Sequence, residues 1–352
     1  MNSLLLQLPE FLQKQNFGDD TQGLLKGNTG MAIFLYHFSR AIKNQETNKM
    51  ADALLDKIFS GIAITSPSDL ENGLAGIGWG IEYLVQYGFV EGDTNEILDE
   101  VDTKVYKALT HENLNSFEMT NGLTGYLLYL NARLKSNNDS RLMAYRINKE
   151  LLIYTINKID ELVTNQFPNI VKEQYFDLFW RFPVMLWVLT ESYCLNIYNR
   201  KIEQMIKQWD MYFEAYIPSL HINRLYMALV LSRLNKIFQY QRLERQIQIL
   251  LFTTNFDEMA TEFDPNHNGI RHGWPGALWL LHQASKMIPP DYPNYSVMIQ
   301  TYKKLKTKIN ELNDKPLLDY TLPMSLQDKG ISSGIAGIGL MNLLWPEIFD
   351  NQ

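Results

Sequence analysis

Gly330-Ile331-Ser332-Ser333-Gly334-Ile335-Ala336-Gly337-Ile338-Gly339-Leu340-Met341-Asn342-Leu343-Leu344-Trp345 reads as a glycine-rich turn feeding an apolar helix. One such stretch fits almost any fold. Its weight comes from recurrence. Gly27-Asn28-Thr29-Gly30, Gly73-Leu74-Ala75-Gly76, Gly122-Leu123-Thr124-Gly125 and Gly273-Trp274-Pro275-Gly276 each precede a helix-length apolar run, as Gly334-Ile335-Ala336-Gly337 does. Two degenerate copies fill the middle. Arg181-Phe182-Pro183-Val184-Met185-Leu186-Trp187 keeps a proline and the run, and Leu220-His221-Ile222-Asn223-Arg224-Leu225-Tyr226 keeps the run alone. The units start near 27, 73, 122, 181, 221, 273 and 334. That is a period of roughly 40–60 residues, room for two helices and two loops.

Between the glycine turns lie segments of a different character. Asn44–Ile64 places Met50, Leu54, Leu55 and Ile58 at spacings of three and four, with Asp52, Asp56 and Lys57 on the other face. This is a half-exposed helix. Residues 2–16, Asn95–Leu109, Ser140–Leu162, Ile197–Trp209, Arg242–Ala260 and Tyr302–Leu312 continue the amphipathic set, and no β-branched alternation interrupts it. A helix apolar all round must be buried, and an amphipathic one can cover it. Seven such pairs predict an all-α protein, an α/α toroid with an inner barrel sheathed by an outer one. An open superhelix needs polar terminal repeats. Ile335–Trp345 is as apolar as the middle of the chain, so a closed ring is expected.

Composition narrows the function classes. The chain has 352 residues, 46% apolar and 12% aromatic, enough for a large core, and no linker-like stretch divides it. A single repeat-built domain over 1–352 is expected. A formal charge of −7 argues against nucleic acid and anionic membranes as main partners. The single cysteine, Cys194, excludes a disulfide framework and a cysteine-clustered metal site. Met1–Glu10 lacks a basic n-region and a small-residue cleavage site. No uncharged apolar run reaches about 18 residues, so no membrane span is expected and the predicted location is cytoplasmic.

Two glycines three apart at a helix start permit positive φ or close backbone approach, and they leave the first amide N–H groups uncovered. Several such ends around one opening would supply donors and partial positive charge for polar or anionic ligands. The alternative is that the glycines only let inner helices converge at a narrow mouth.

The repeated G-x-x-G before an apolar helix resembles the lanthionine synthetase C-like family of lanthipeptide cyclases, most closely at Gly73–Trp79, Asn121–Gly125, Gly273–Gly276 and Ser333–Leu340. The resemblance spans nearly the whole chain and implies a toroid of seven inner and seven outer helices. It further implies a zinc ion at the barrel mouth that activates a cysteine thiol of a precursor peptide for addition to a dehydrated serine or threonine. In the family the metal sits on a cysteine in W-C-x-G-x-P-G and on a Cys-His pair in C-H-G-x-x-G. Here Ile270-Arg271-His272-Gly273-Trp274-Pro275-Gly276 carries Arg271 at the first cysteine, and Ser332 and Ser333 replace the pair. A guanidinium is not a ligand at neutral pH, and serine hydroxyls are poor ones. No metal and no other cofactor are therefore expected.

Other positions carry over from the resemblance. Glu118, four before Gly122, matches a family aspartate that assists acid–base chemistry, and His221 matches the active-site histidine, although Ile222 and Leu225 replace its flanking glycines. His272 stands where the family has a tyrosine or similar residue, and His267 lies near a family arginine. The expected catalytic set is Glu118, His221 and His272, and the expected ligand-binding set is His267, Arg271, Ser332 and Ser333. Such a cluster can grip an acidic or polar group through Arg271, or move protons through a histidine with Glu118. A solvated polar patch without function is the bland alternative.

Three functions compete. The first is a zinc-free cyclase-like protein that binds a precursor peptide at the mouth, as partner of another peptide-modifying enzyme. Without a Lewis acid the usual route to thiolate is missing, which sets cyclase activity in doubt. The second is a toroidal hydrolase of the glycosidase type, with Glu118 and either Glu262 or Asp264 as a carboxylate pair about 5–10 Å apart. Trp79, Trp180, Trp274 and Trp279 would stack on sugar, or simply fill the inner helices. The third is a non-catalytic interaction scaffold. Neither Met287–Tyr295, rich in proline and tyrosine, nor the turn at Ser136–Ser140 locates a surface for it.

Overall fold

The computed structural model describes residues 3–14, 21–63, 66–112, 114–136, 139, 141–172, 175–263, 267, 269–292, 294–313 and 330–349. Among these residues all regular structure is helical. Seven helices begin at the seven repeat starts. They are α2 (Asn28–Ile42), α4 (Leu74–Gln86), α7 (Leu123–Ser136), α9 (Arg181–Cys194), α11 (His221–Phe238), α14 (Trp274–Met287) and α16 (Ile335–Leu344). Around them lie α1 (Ser3–Lys14), α3 (Gln45–Gly61), α6 (Asp99–His111), α8 (Met143–Ile170), α10 (Asn199–Ala215), α12 (Gln241–Phe252) and α15 (Tyr295–Asn313). Short helices α5 (Thr94–Ile97), α13 (Phe256–Met259) and α17 (Pro346–Phe349) complete the set.

The inner helices form a closed ring. Starting from α7, the neighbours are α4, α2 and α16 in one direction and α9, α11 and α14 in the other, and the ends of the two arms meet through the Arg271 N–Ser332 O bond before α14 and α16 and through Trp279 against Trp345. The last inner helix packs against the first, and α1 covers α16 and touches α15, so the start of the chain sheathes its end. Glycine makes the closure possible: a Cβ at Gly339 of α16 would lie 2.4 Å from the Phe34 ring of α2. The core runs around this ring through Phe34, Leu127, Leu186, Leu225, Leu278 and Ile338, all fully buried or nearly so. These are the side chains whose removal from water drives closure.

The helices start in more than one way. Side-chain caps start α3 and the short α5 and α13: Asn44 accepts from Glu46 N at 2.8 Å, and Asp93 accepts from Asn95 N at 2.9 Å. The inner helices α2, α4 and α7 are capped by their own preceding loops. Leu74 N donates to Pro67 O at 2.9 Å, Asn28 N to Thr21 O at 2.9 Å and Leu123 N to Ser116 O at 2.9 Å. The loop therefore doubles back over the first turn, and only glycine leaves it room. A Cβ at Gly76 would lie 2.0 Å from Leu70 O, and one at Gly276 2.0 Å from Ile270 O. The cap glycines Gly27, Gly73, Gly273 and Gly334 all have negative φ, so space rather than left-handed backbone explains them. Of the two readings of the glycine pairs, these contacts favour close packing over amide donors left open to a ligand.

Three helix bounds also differ from expectation. The segment Arg242–Ala260 splits into α12 and α13, because Asn255 caps a new start by accepting from Asp257 N at 3.1 Å. The α15 helix begins at Tyr295 rather than Tyr302. The α8 helix runs to Ile170, past a break at Gln166 (φ −131°).

Between α4, α6, α7 and α8 lies a buried charge network. Arg133 donates to Asp102 (Nη2–Oδ2 2.7 Å) and to Glu82, while Asp102 also accepts from Tyr129 Oη at 2.6 Å and from Asn148 Nδ2 at 3.2 Å. Arg133 and Glu82 are 2% and 0% exposed, so the pairing is what makes their burial tolerable.

Candidate functional site

The glycine turns meet at one end of the inner ring, and a belt of backbone hydrogen bonds stitches them together. Leu25, Glu71, Thr120, Leu178, Arg271 and Ser332 each lie three residues before the first residue of an inner helix. Glu71 N donates to Thr120 O at 3.0 Å, Leu25 N to Glu71 O at 3.1 Å and Ser332 N to Leu25 O at 3.1 Å. The belt continues from Arg271 N to Ser332 O at 2.9 Å and from Leu178 N to Arg271 O at 2.9 Å. All five bonds run in the same sense. The equivalent position before α11 is Pro218, which has no N–H, and the belt passes it by.

The belt does not close between the turns of α7 and α9. Leu178 O accepts instead from Tyr226 Oη at 2.7 Å. At this break the ring opens into a hollow of about 380 Å³. Glu118, Thr120 and Asn121 form one wall, and Lys172, Tyr175, Asp177, Trp180 and Arg181 the other, with Arg271 between them. A larger depression of about 610 Å³ lies along Gln241–Gln248 of the outer helix α12, away from the glycine turns.

Arg271 is the centre of the charged cluster. Its Nε and Nη2 donate to the two oxygens of Asp177, each at 2.9 Å, and its Nη1 lies 3.9 Å from Glu71 Oε1. The guanidinium sits 4.8 Å from the Phe179 ring centroid. Burial works against the Arg271 charge, but the hydrogen bonds and charge of Asp177, with Glu71, hold its pKa above the usual value. Across the hollow, Arg181 pairs with Glu118.

The histidines follow. His272 Nδ1 lies 3.2 Å from Phe176 O; a carbonyl only accepts, so Nδ1 carries the proton and the neutral ring keeps Nε2 as an acceptor. Burial pushes the His272 pKa down, and the Asp177 carboxylate 3.8 Å away does not reverse the shift. The ring therefore stays neutral at pH 7. His267 stands edge-on to His272 with centroids 5.9 Å apart, and its Nδ1 is buried with no partner among the described residues.

Ser333 reaches the same group through Gly269, where a Cβ would lie 2.8 Å from Ser333 O and 3.2 Å from His267 Cε1. Ser332 is 4% exposed, and its Oγ donates to Leu25 O at 3.1 Å. The structure thus gathers His267, Arg271, His272, Ser332 and Ser333 into one cluster, with Glu118 on the far wall of the adjoining hollow.

His221 stands apart from that cluster. Its ring lies 3.2 Å from Glu258 Oε2, and its Nδ1 accepts from Arg224 Nη1 at 3.1 Å and Asn255 N at 3.2 Å. No hydrogen bond joins Glu118 to His221 or His272 among the described residues. Glu262 caps α11, accepting from His221 N at 2.7 Å and Ile222 N at 2.9 Å, so both its oxygens are engaged. Asp264 lies outside the described residues. Trp274 is 2% exposed and belongs to the core.

Sequence reasoning missed Asp177, Arg181 and Lys172, which sit before or at the start of a repeat without glycines. A signal was available for Asp177, since an arginine half-buried at the mouth needs a carboxylate partner. Zinc would require three converging thiolate, imidazole or carboxylate donors. The three positions that should supply them hold a cation forked onto Asp177 and two serines, one of them bonded to Leu25 O. Among the described residues no group of three or more histidine, cysteine, aspartate or glutamate side chains is arranged to hold a metal. These residues do not fit zinc.

A profile of the lanthionine synthetase C-like protein family matches residues 18–179. Among solved structures the chain is similar to nisin cyclase, with a TM-score of 0.66 and 14% identity, over 97% of this chain and 92% of that one. At that identity the likeness speaks for the fold, an α/α toroid. No curated protein sequence matches significantly. No described helix is long and apolar enough to cross a membrane.

Proposed function

The chain belongs to the lanthionine synthetase C-like family, and from that premise we propose that it serves ribosomal peptide maturation in the cytoplasm as a zinc-free peptide-binding protein. The peptide lies at the mouth of the ring, presented by or to another peptide-modifying enzyme. The observation that carries this reading is the Arg271–Asp177 fork at the position where the family holds its first zinc cysteine. A guanidinium there repels a dication and offers donors to a carbonyl or carboxylate instead.

In this reading Arg271 and Arg181 orient polar groups of the peptide. His272, neutral and with Nε2 free to accept, can receive a proton from a bound hydroxyl or thiol. Thiolate formation has no metal to assist it, so cyclisation contributes little or nothing. The test combines three measurements on the purified protein: elemental analysis, calorimetric titration with a dehydrated precursor-type peptide, and thiol addition within that peptide. Peptide binding without stoichiometric zinc and without cyclisation above the uncatalysed rate is the expected result. Stoichiometric zinc with catalysed cyclisation would overturn the zinc-free reading, and no peptide binding at all would overturn the whole.

A further inference from the structure

We infer that the break in the belt between the turns of α7 and α9 is a binding slot for a carboxylate. The inference rests on the peptide-binding reading and names the group of the peptide that the mouth recognises.

The slot is defined by donors that lack acceptors. Every other stitched junction of the belt satisfies the N–H of its turn, but the Thr120 N–H has no acceptor among the described residues, and its counterpart Leu178 O accepts from Tyr226 Oη. Trp180 lines the same hollow, is 6% exposed, and its indole Nε1–H is buried with no acceptor among the described residues. Lys172 lines it as well, exposed and without an acidic partner among the described residues. Two residues that carry unpartnered donors, and one lysine, therefore line one hollow whose other charges, Arg181 with Glu118 and Arg271 with Asp177, are already paired.

A buried donor without a partner is costly, and a ligand that supplies an acceptor recovers that cost. A carboxylate is the acceptor-only group whose two oxygens can serve all three donors, and its charge matches the one unbalanced cation. A neutral carbonyl would leave the lysine unmatched. The carboxylate can come from a peptide C-terminus or from an acidic side chain, and the two sources differ only in what flanks them.

Protein labelled with 5-fluorotryptophan gives one fluorine signal for each of its seven tryptophans, and Trp180→Phe identifies that of Trp180. Three N-acetylated hexapeptides are titrated: one with a free C-terminal carboxylate, one amidated and carrying an internal glutamate, and one amidated and neutral. The Trp180 signal is expected to move with at least one carboxylate peptide and not with the neutral one, and the responding peptide identifies the source. Lys172→Gln, an exposed change that leaves folding intact, is expected to weaken that peptide about tenfold.

Equal movement with the neutral peptide, or none with any carboxylate peptide, overturns the slot. A protein that binds the peptides while Trp180 stays still keeps the peptide-binding function and loses the slot. Movement with acetate alone, without peptide binding, keeps the slot and removes that function.

Discussion

Arg271 and Asp177 form a two-pronged ion pair, Nε to Oδ1 and Nη2 to Oδ2 at 2.9 Å each, between the turns that precede α14 and α9. The two turns are also joined by the Leu178 N–Arg271 O bond, so the pair and the belt brace the same junction. Their side chains are only 18% and 15% exposed, which places them above the level of a solvent-screened surface pair.

A double-mutant cycle reads the strength of that junction. Arg271→Gln leaves a half-buried carboxylate without its fork, and Asp177→Asn leaves the guanidinium with Glu71 at 3.9 Å as its nearest acid. Each single change is expected to cost about 1–3 kcal/mol, and the double change clearly less than the sum. Urea unfolding of the four proteins checks it. Additive losses would mean that the pair has no coupling.

The same position tests the proposed absence of a metal site from the opposite direction. If the mouth has kept the family's shape, Arg271→Cys, Ser332→Cys and Ser333→His together restore a Cys, Cys, His donor set on turns that are adjacent through the Arg271 N–Ser332 O bond. Zinc–thiolate and zinc–imidazole bonds need lengths of about 2.0–2.3 Å, so only converging side chains bind it tightly. The triple variant is expected to take up one zinc per chain, measured by elemental analysis, and any two of the changes markedly less. Failure of the folded triple variant to bind zinc would show that the turns do not converge as the family's do.

The ring was legible because its signals are local and repeated. Apolar runs and amphipathic covers recur at every unit and glycine turns at five of the seven, and each inner helix begins at a repeat start. What the glycines do was not legible. Their role lies in contacts such as Gly76 against Leu70 O, where the loop caps its own helix seven residues on, a bond pattern with no side-chain signature. The cluster of Arg271, His272 and the two serines could be read because it falls on motif positions. Asp177 and Arg181 could not, since their turn has lost the glycines that mark it. The helix break before α13 was likewise hidden, because Asn255 is a common residue whose capping depends on the bend it creates.

Ring closure brings Gly339 of α16 close against both α2 and α1. A Cβ at Gly339 would sit 2.4 Å from Phe34 Cε2 and 2.7 Å from Leu8 Cδ1, so the helix, the ring and α1 cannot all keep their places. Overpacking of this kind costs about 1–3 kcal/mol, more than the helix propensity gained by replacing glycine. Gly339→Ala is expected to lower the melting temperature by several degrees. Trimming the partner in Gly339→Ala/Phe34→Leu should recover part of the loss. A melting temperature equal to or above that of the unchanged protein would place the closing contact elsewhere.

Stability should fall on mild acidification, and His37 gives the sign. Its Nε2 lies 2.7 Å from Tyr83 Oη, and burial, helped by Arg40, pulls its pKa down to about 4. Burial pushes Tyr83 up to about 12, so the phenol keeps its proton and donates it to the neutral imidazole. The unfolded chain protonates this histidine near its ordinary 6.5, while the folded chain resists until about 4. Protons therefore bind the unfolded state first, and the contribution of His37 is full above pH 6.5 and lost as the pH falls from 6.5 toward 4. His272 and His282, both lowered chiefly by burial, act in the same direction. Urea midpoints are expected to drop across this window, and His37→Leu should flatten the drop while removing the Tyr83 hydrogen bond at every pH. A midpoint that rises between pH 6.5 and 4, or a slope that His37→Leu leaves untouched, would show that the ring is not held neutral in the folded protein.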